Sequence, residues 1–166
     1  NLADMESIYW YPSTCFFEGT VLSEGRGTEH PFCIFGHPSL KLKNAYTFTP
    51  TSRDGAKEPK LKNQTCYGWN LYTGSLTATR KKVANKLQLK YLLEAYKNFE
   101  NKETFFLKPK SEKPTDYFFN KLAGNSILMQ QLKDGKTEKQ IRLSWKQDLN
   151  QFKIVRKKYL LYEDFE

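Results

Sequence analysis

Near residue 76 the apolar pattern of this chain changes period, and that change limits the folds open to it. Before it, Tyr46-Thr-Phe-Thr-Pro50 alternates apolar and polar residues, the two-residue period of a half-buried strand. Thr65-Cys-Tyr-Gly-Trp-Asn-Leu-Tyr72 does the same, with Tyr67, Trp69 and Leu71 on one side. Phe32-Cys-Ile-Phe35 reads as a short buried strand closed by Gly36 and Pro38, and the polar loop 51–60 turns at Asp54-Gly55. After it, Leu89, Leu92, Leu93, Tyr96 and Phe99 recur at helical spacing. Pro114-Thr-Asp116 starts a short helix with Phe118, Phe119 and Leu122 inward, and Gly124 stops it. Asn125 caps another, which ends at Asp134-Gly135. Thr137 and Gln140 form a capping box for a helix over 138–158, about 30 Å long at roughly 1.5 Å per residue. Its stripe is Ile141, Trp145, Leu149 and Phe152, extended by Val155. Strands followed by helices predict an α+β fold. The first half (1–76) is β-rich, either barrel-like or an open mixed sheet, and the second (77–166) is helical, all within a single domain.

Composition bounds the function classes. Hydrophobic residues make up 39% and aromatics 15%, enough for a core and against disorder. No apolar run reaches the roughly 20 residues of a bilayer span. The opening residues carry acids instead of a basic start and an apolar stretch, so no signal peptide is read there. The net charge of +9 invites a nucleic-acid reading, but residues 1–50 hold three basic and five acidic residues against 24 and 13 in the remainder. The positive excess lies on the helical part, where exposed lysines solvate a surface, so no nucleic-acid partner is expected. Cys15, Cys33 and Cys66 are odd in number, lack a Cys-x-x-Cys pair and sit beside aromatics, the setting of buried free thiols, with one bridge plus one free thiol as the alternative. His30 and His37 each precede a proline without ligand-spaced partners, so neither a metal nor any other cofactor is expected.

The segment Cys15-Phe-Phe-Glu-Gly-Thr-Val-Leu-Ser-Glu-Gly-Arg-Gly-Thr28 places glycines, acids, hydroxyls and one arginine between apolar runs. Core segments do not need that mixture; a loop presenting polar groups to a ligand does. It lacks the Gly-Lys-Ser/Thr of a phosphate loop, and no helix pattern follows it. Arg26 between two glycines either grips a carboxylate or phosphate, or pairs with Glu18 or Glu24 to pin a turn. On an extended strand Glu18 and Glu24 would lie about 20 Å apart, beyond the roughly 5 to 9.5 Å of glycosidase carboxylate pairs. Only a sharp fold at the glycines would unite them. Glu18, beside Phe17, is the better candidate for chemistry with a group from elsewhere. The Tyr9-Trp10-Tyr11 cluster suits either sugar stacking or core packing.

Ser7-Ile-Tyr-Trp-Tyr-Pro-Ser-Thr-Cys-Phe-Phe-Glu-Gly-Thr20, Ser23-x-Gly-Arg-Gly-Thr28 and Pro31-Phe32 resemble the NamZ-type exo-β-N-acetylmuramidases. Phe48-Thr-Pro50, Gly55-Ala-Lys-x-Pro-Lys60, Cys66-Tyr-Gly68, Leu92-Leu-Glu-Ala-Tyr96, Phe118-Phe-x-Lys-Leu-Ala-Gly124 and Arg156-Lys-Lys-Tyr-Leu-Leu-Tyr162 extend the likeness from end to end. The resemblance implies the carboxy-terminal domain of a bacterial enzyme that removes N-acetylmuramic acid from non-reducing ends of peptidoglycan fragments. Its partner is an amino-terminal Rossmann-like domain with no counterpart in these residues, and the active site lies in the cleft between the two. It also implies a cell-envelope or secreted location. On this reading Glu18 is catalytic, Arg26 reads the lactyl carboxylate of muramic acid, and Thr20, Ser23, Glu24 and Tyr67 complete the substrate-binding wall. The fragment by itself is expected to lack activity. A non-catalytic glycan-binding module and a basic nucleic-acid binder are the competing readings, separated by a muramic-acid release assay and by salt dependence.

Overall fold

The computed structural model describes residues 2–111 and 113–164. Helix α1 (Met5–Thr14) begins at Asp4, whose side chain accepts the Ser7 amide at 2.7 Å, and runs directly into a 3₁₀ turn, Cys15–Gly19. Strands β1 (Ile34–His37), β2 (Tyr46–Phe48) and β3 (Cys66–Asn70) follow. Then come α2 (Leu76–Val83), α3 (Lys90–Asn98), α4 (Phe118–Ala123), α5 (Ile127–Lys133), α6 (Glu138–Ser144) and α7 (Lys146–Lys157). The class is α+β. Of the two sheet forms expected, the structure takes the open one, and both pairings are antiparallel rather than mixed, in the order β1-β3-β2.

Register decides what each face of the sheet does, because directly opposed residues share a face. Phe35 opposes Trp69, and His37 opposes Tyr67. On that face Phe35 stacks on Phe17 at 4.4 Å and meets Tyr91 of α3 edge-on, joining the main core with Trp10, Leu92, Phe105, Phe119 and Ile141. The other face carries Ile34, Phe48 and Cys66, which make a smaller cluster under Leu61. Cys33 and Cys66 are buried free thiols and Cys15 a half-buried one; burial pushes them up to about 12, 11 and 11 respectively.

Three expectations change in detail. Residues 5–14 form a helix ahead of the strands. The helix predicted over 138–158 is two, broken at Trp145, although the Thr137–Gln140 capping box forms as expected. Phe118 is 46% exposed instead of inward, whereas Phe119 is fully buried. Elsewhere the end signals hold: the Asn125 side chain accepts the amides of Ile127 and Leu128, and Gly124 and Gly135 take the left-handed conformation that stops a helix.

Candidate functional site

The glycine-rich segment folds sharply where its sequence allows it. Gly25 sits at φ +82, and a β-carbon there would lie 2.2 Å from the Ile34 carbonyl, so only glycine fits. Ser23 on one side pairs with Gly36 of β1 through two backbone bonds of 2.9 and 3.1 Å, and Thr28 on the other returns its amide to the Gly25 carbonyl at 3.0 Å. This turn brings Glu18, Glu24 and Arg26 together. Arg26 Nη1 stands 2.9 Å from Glu18 Oε2 and 3.5 Å from Glu24 Oε1. The separation argued for an extended strand therefore does not arise, and both glutamates share one guanidinium nitrogen.

A fourth charge closes the network. Lys60 Nζ lies 2.7 Å from Glu24 Oε2 and donates to the carbonyls of Phe17 (2.8 Å) and Thr20 (3.0 Å), at the end of the 3₁₀ turn. Burial lowers the Lys60 ammonium from its ordinary range, opposed by the Glu24 charge. Burial, followed by the nearby Glu18 charge, raises the phenol of Tyr11 in α1. Arg26 also lies 5.1 Å over the Phe32 ring, which Tyr11 meets edge-on at 4.8 Å. Exposure is graded across the group. The Glu24 side chain is 2% exposed, Glu18 11% and Arg26 30%. Glu24 and Lys60 form the buried base, and Glu18 with Arg26 forms the edge that solvent reaches. The Arg26 Nε is buried without a hydrogen-bond partner.

Arg26 lines a groove of about 380 Å³ with Gly27, Glu29, Pro31, Arg53 and Asp54. Thr20 and Ser23 are buried and do not line it. The Thr20 hydroxyl donates to the Phe17 carbonyl and accepts the Leu22 amide, and the Ser23 hydroxyl accepts the Gly25 amide. Tyr67 is 39% exposed, on the Phe35–Trp69 face of the sheet and away from this groove. So the fold brings Glu18, Glu24 and Arg26 together, buries Thr20 and Ser23 in local backbone bonds, and keeps Tyr67 out of the groove. Lys60 and Tyr11 join them unforeseen. The signals were the lysine ending the Gly55-Ala-Lys-Glu-Pro-Lys60 loop and the aromatic cluster at 9–11. Of the histidines, His30 Nδ1 lies 3.1 Å from Asp4 Oδ2, and His37, lowered by burial, meets the Ser39 hydroxyl at 2.7 Å. No three metal-ligating side chains converge among the described residues.

Residues 9–162 match the family described as exo-beta-N-acetylmuramidase NamZ, C-terminal. The peptidoglycan beta-N-acetylmuramidase NamZ of Bacillus subtilis (strain 168) is 32% identical, over 98% of this chain and 39% of that protein. The crystal structure of a DUF1343 family protein from Bacteroides fragilis superposes with a TM-score of 0.82 at 42% identity, over 97% of this chain and 42% of that one. The chain thus spans about two fifths of the length of the relatives it matches.

Proposed function

This chain belongs to the family of NamZ exo-β-N-acetylmuramidase carboxy-terminal domains, and from that membership we propose that residues 1–166 form one wall of the active-site cleft of a bacterial cell-wall hydrolase. The opposite wall comes from an amino-terminal Rossmann-like domain. The complete enzyme releases N-acetylmuramic acid from the non-reducing ends of peptidoglycan-derived glycans, in the cell envelope or outside the cell. The observation that carries the reading is Arg26, pinned by two glutamates through one nitrogen yet still facing a groove.

N-acetylmuramic acid differs from its partner sugar by a lactyl carboxylate. A guanidinium carries five donors. With Nη1 committed to Glu18 and Glu24, the Nη2 donors remain for the lactyl group, already oriented and partly desolvated, so little ordering entropy is lost on binding. Glu18, at the solvent edge of the network, is one of the two carboxyl groups such cleavage uses, and the second comes from the opposite wall. Glu24 holds Arg26 in place, and Thr20 and Ser23 fix the turn beneath it. In the complete enzyme, Arg26→Ala removes the partner of Glu18 and so slows every substrate, but it is expected to lower kcat/KM on muramic-acid glycosides roughly a hundredfold further than on analogues lacking the lactyl group, the scale of a lost charge-assisted pair. Equal losses on both substrates would sink the assignment.

The 2.9 Å Glu18–Arg26 pair also suits a second reading, a non-catalytic glycan-binding module whose arginine only pins a loop. Binding of wall fragments by the complete protein without release of muramic acid would select it.

A further inference from the structure

Helix α1 is amphipathic in the reverse sense. Its buried residues are Glu6, Ser7, Trp10, Ser13 and Thr14, and of these only Trp10 is apolar. The outward face carries Met5, Ile8 and Pro12, at i, i+3 and i+7, with half-buried Tyr9 beside them. Met5 is 47% and Ile8 46% exposed. Apolar area left in water is unfavourable, and a helix with an apolar stripe turns it toward whatever covers it.

The stripe is also one side of a recess. Ile8, Tyr9 and Pro12 line a groove of about 360 Å³ with Val83 at the end of α2 and Leu87 just beyond it, and Lys86 stands at the rim. Arg80 of α2 lies 5.8 Å over the Tyr9 ring. Among the described residues neither Arg80 nor Lys86 has a carboxylate partner. A concave apolar floor with a basic edge fits the ridge of a folded protein surface that is apolar in the middle and acidic at its margin. A flat bilayer would leave the recess unfilled.

Position decides which protein surface that is. The first turn of α1 adjoins the Arg26 groove: Ala3 lines that groove, and Asp4 holds His30 of the site turn at 3.1 Å. The chain covers 39% and 42% of its two relatives, and the family it matches is a carboxy-terminal one. About three fifths of such a protein therefore lie ahead of α1 and enter it beside the groove.

We infer that the Met5–Ile8–Pro12 stripe and the recess beside it are the seat on which the amino-terminal domain docks, holding the opposite wall of the cleft in register with Arg26. The inference rests on the two-domain reading proposed above, and the test separates the two. Residues 1–166 contain two methionines, Met5 on the stripe and Met129, which is 6% exposed in α5. In the complete enzyme, hydrogen peroxide is expected to oxidise Met5 as slowly as Met129, read peptide by peptide by mass spectrometry. Ile8→Glu puts a charge into the seat. It is expected to let Met5 oxidise well ahead of Met129 and to lower kcat/KM on muramic-acid glycosides about tenfold. Ile127→Glu, at a 59% exposed position of α5 away from the stripe, is expected to change neither. A wild-type Met5 that oxidises well ahead of Met129 overturns the seat and leaves the muramidase reading standing. Protection that is lost on dilution assigns the stripe to a second copy of the protein and overturns it as well, as does an Ile8→Glu enzyme that behaves like Ile127→Glu. A protected Met5 that Ile8→Glu exposes, in an enzyme that releases no muramic acid, sustains the seat and overturns the muramidase reading instead.

Discussion

A single ammonium group, that of Lys60, joins the buried carboxylate of Glu24 to the carbonyls of the turn that carries Glu18. Removing it takes away Glu24's closest cation, at 2.7 Å, and leaves Arg26 at 3.5 Å as the other. It also strips the Phe17 and Thr20 carbonyls of their shared donor. Leaving buried charge and carbonyls short of partners costs about 3 kcal/mol. Lys60→Met, close in volume, is therefore expected to lower unfolding free energy by about that amount, read from the urea midpoint. Lys62→Met, which removes only a surface pair with Glu58, is expected to change it by about 0.5 kcal/mol or less. Similar midpoints for the two variants would mean that Lys60 does not hold the turn. The sequence makes one half of this network legible and hides the other. Arg26 lies two residues from Glu24 and eight from Glu18, so pairing is a reading open to short-range reasoning. Lys60 is far along the chain and looks like any loop lysine until the turn and the loop meet. Tyr11 was visible only as one aromatic of three.

At the level of elements, α1 shows why periodicity fails where buried faces are polar. Its inward residues are Glu6, Ser7, Trp10, Ser13 and Thr14, at helical spacing but mostly hydrophilic, while Met5 and Ile8 face outward. The polar face is satisfied by partners no local pattern displays. Glu6 accepts from the Thr73 amide and hydroxyl and from Thr79, which outweigh burial and lower its carboxyl; Ser13 accepts the Gln88 amide. Tyr9, Trp10, Tyr11 and Pro12 add residues disfavoured in helix interiors, and only the Asp4 cap points the other way. The carboxy-terminal helices are the reverse case. Their ends carry explicit chemistry, so Asn125, Gly124, Gly135 and the Thr137–Gln140 box were readable, whereas the break at Trp145 was not, because the apolar stripe continues through it into α7. Thr137→Ala removes the hydroxyl that accepts the Gln140 amide. The expected cost is about 1 kcal/mol, seen as a lower Tm, with turnover by the complete enzyme unchanged because α6 lies outside the Arg26 groove. A drop in turnover at constant stability would place α6 closer to the chemistry than the geometry does.

The change of period near residue 76 divides the sequence but not the molecule. The segment carrying Glu18 is clamped from both sides. Ser23 pairs with Gly36 of β1, while the Val21 amide reaches the Phe105 carbonyl and the Leu107 amide reaches the Gly19 carbonyl. α4 then lies against the 3₁₀ turn so closely that a β-carbon on Gly19 would come within 2.5 Å of the Phe119 backbone. Sequence reasoning treats the glycines of this segment as freedom for a ligand to approach, but at Gly19 the body that approaches is the helical half of the same chain. Backbone against backbone cannot be relieved by a side-chain rotation, so Gly19→Ala must push α4 off the turn or shift the turn itself. Overpacking of this kind costs about 3 kcal/mol, and a shifted turn carries the Glu18 carboxylate away from Arg26. Gly124→Ala is the matched control: it has open space around it and only a left-handed φ of +74 to strain, for about 1 kcal/mol. In the complete enzyme, Gly19→Ala is expected to lose most of its kcat while still folded at low temperature, and Gly124→Ala to keep it. Urea midpoints and turnover measured side by side check the pair. Equal behaviour of the two variants would mean that the helical half does not set the position of Glu18.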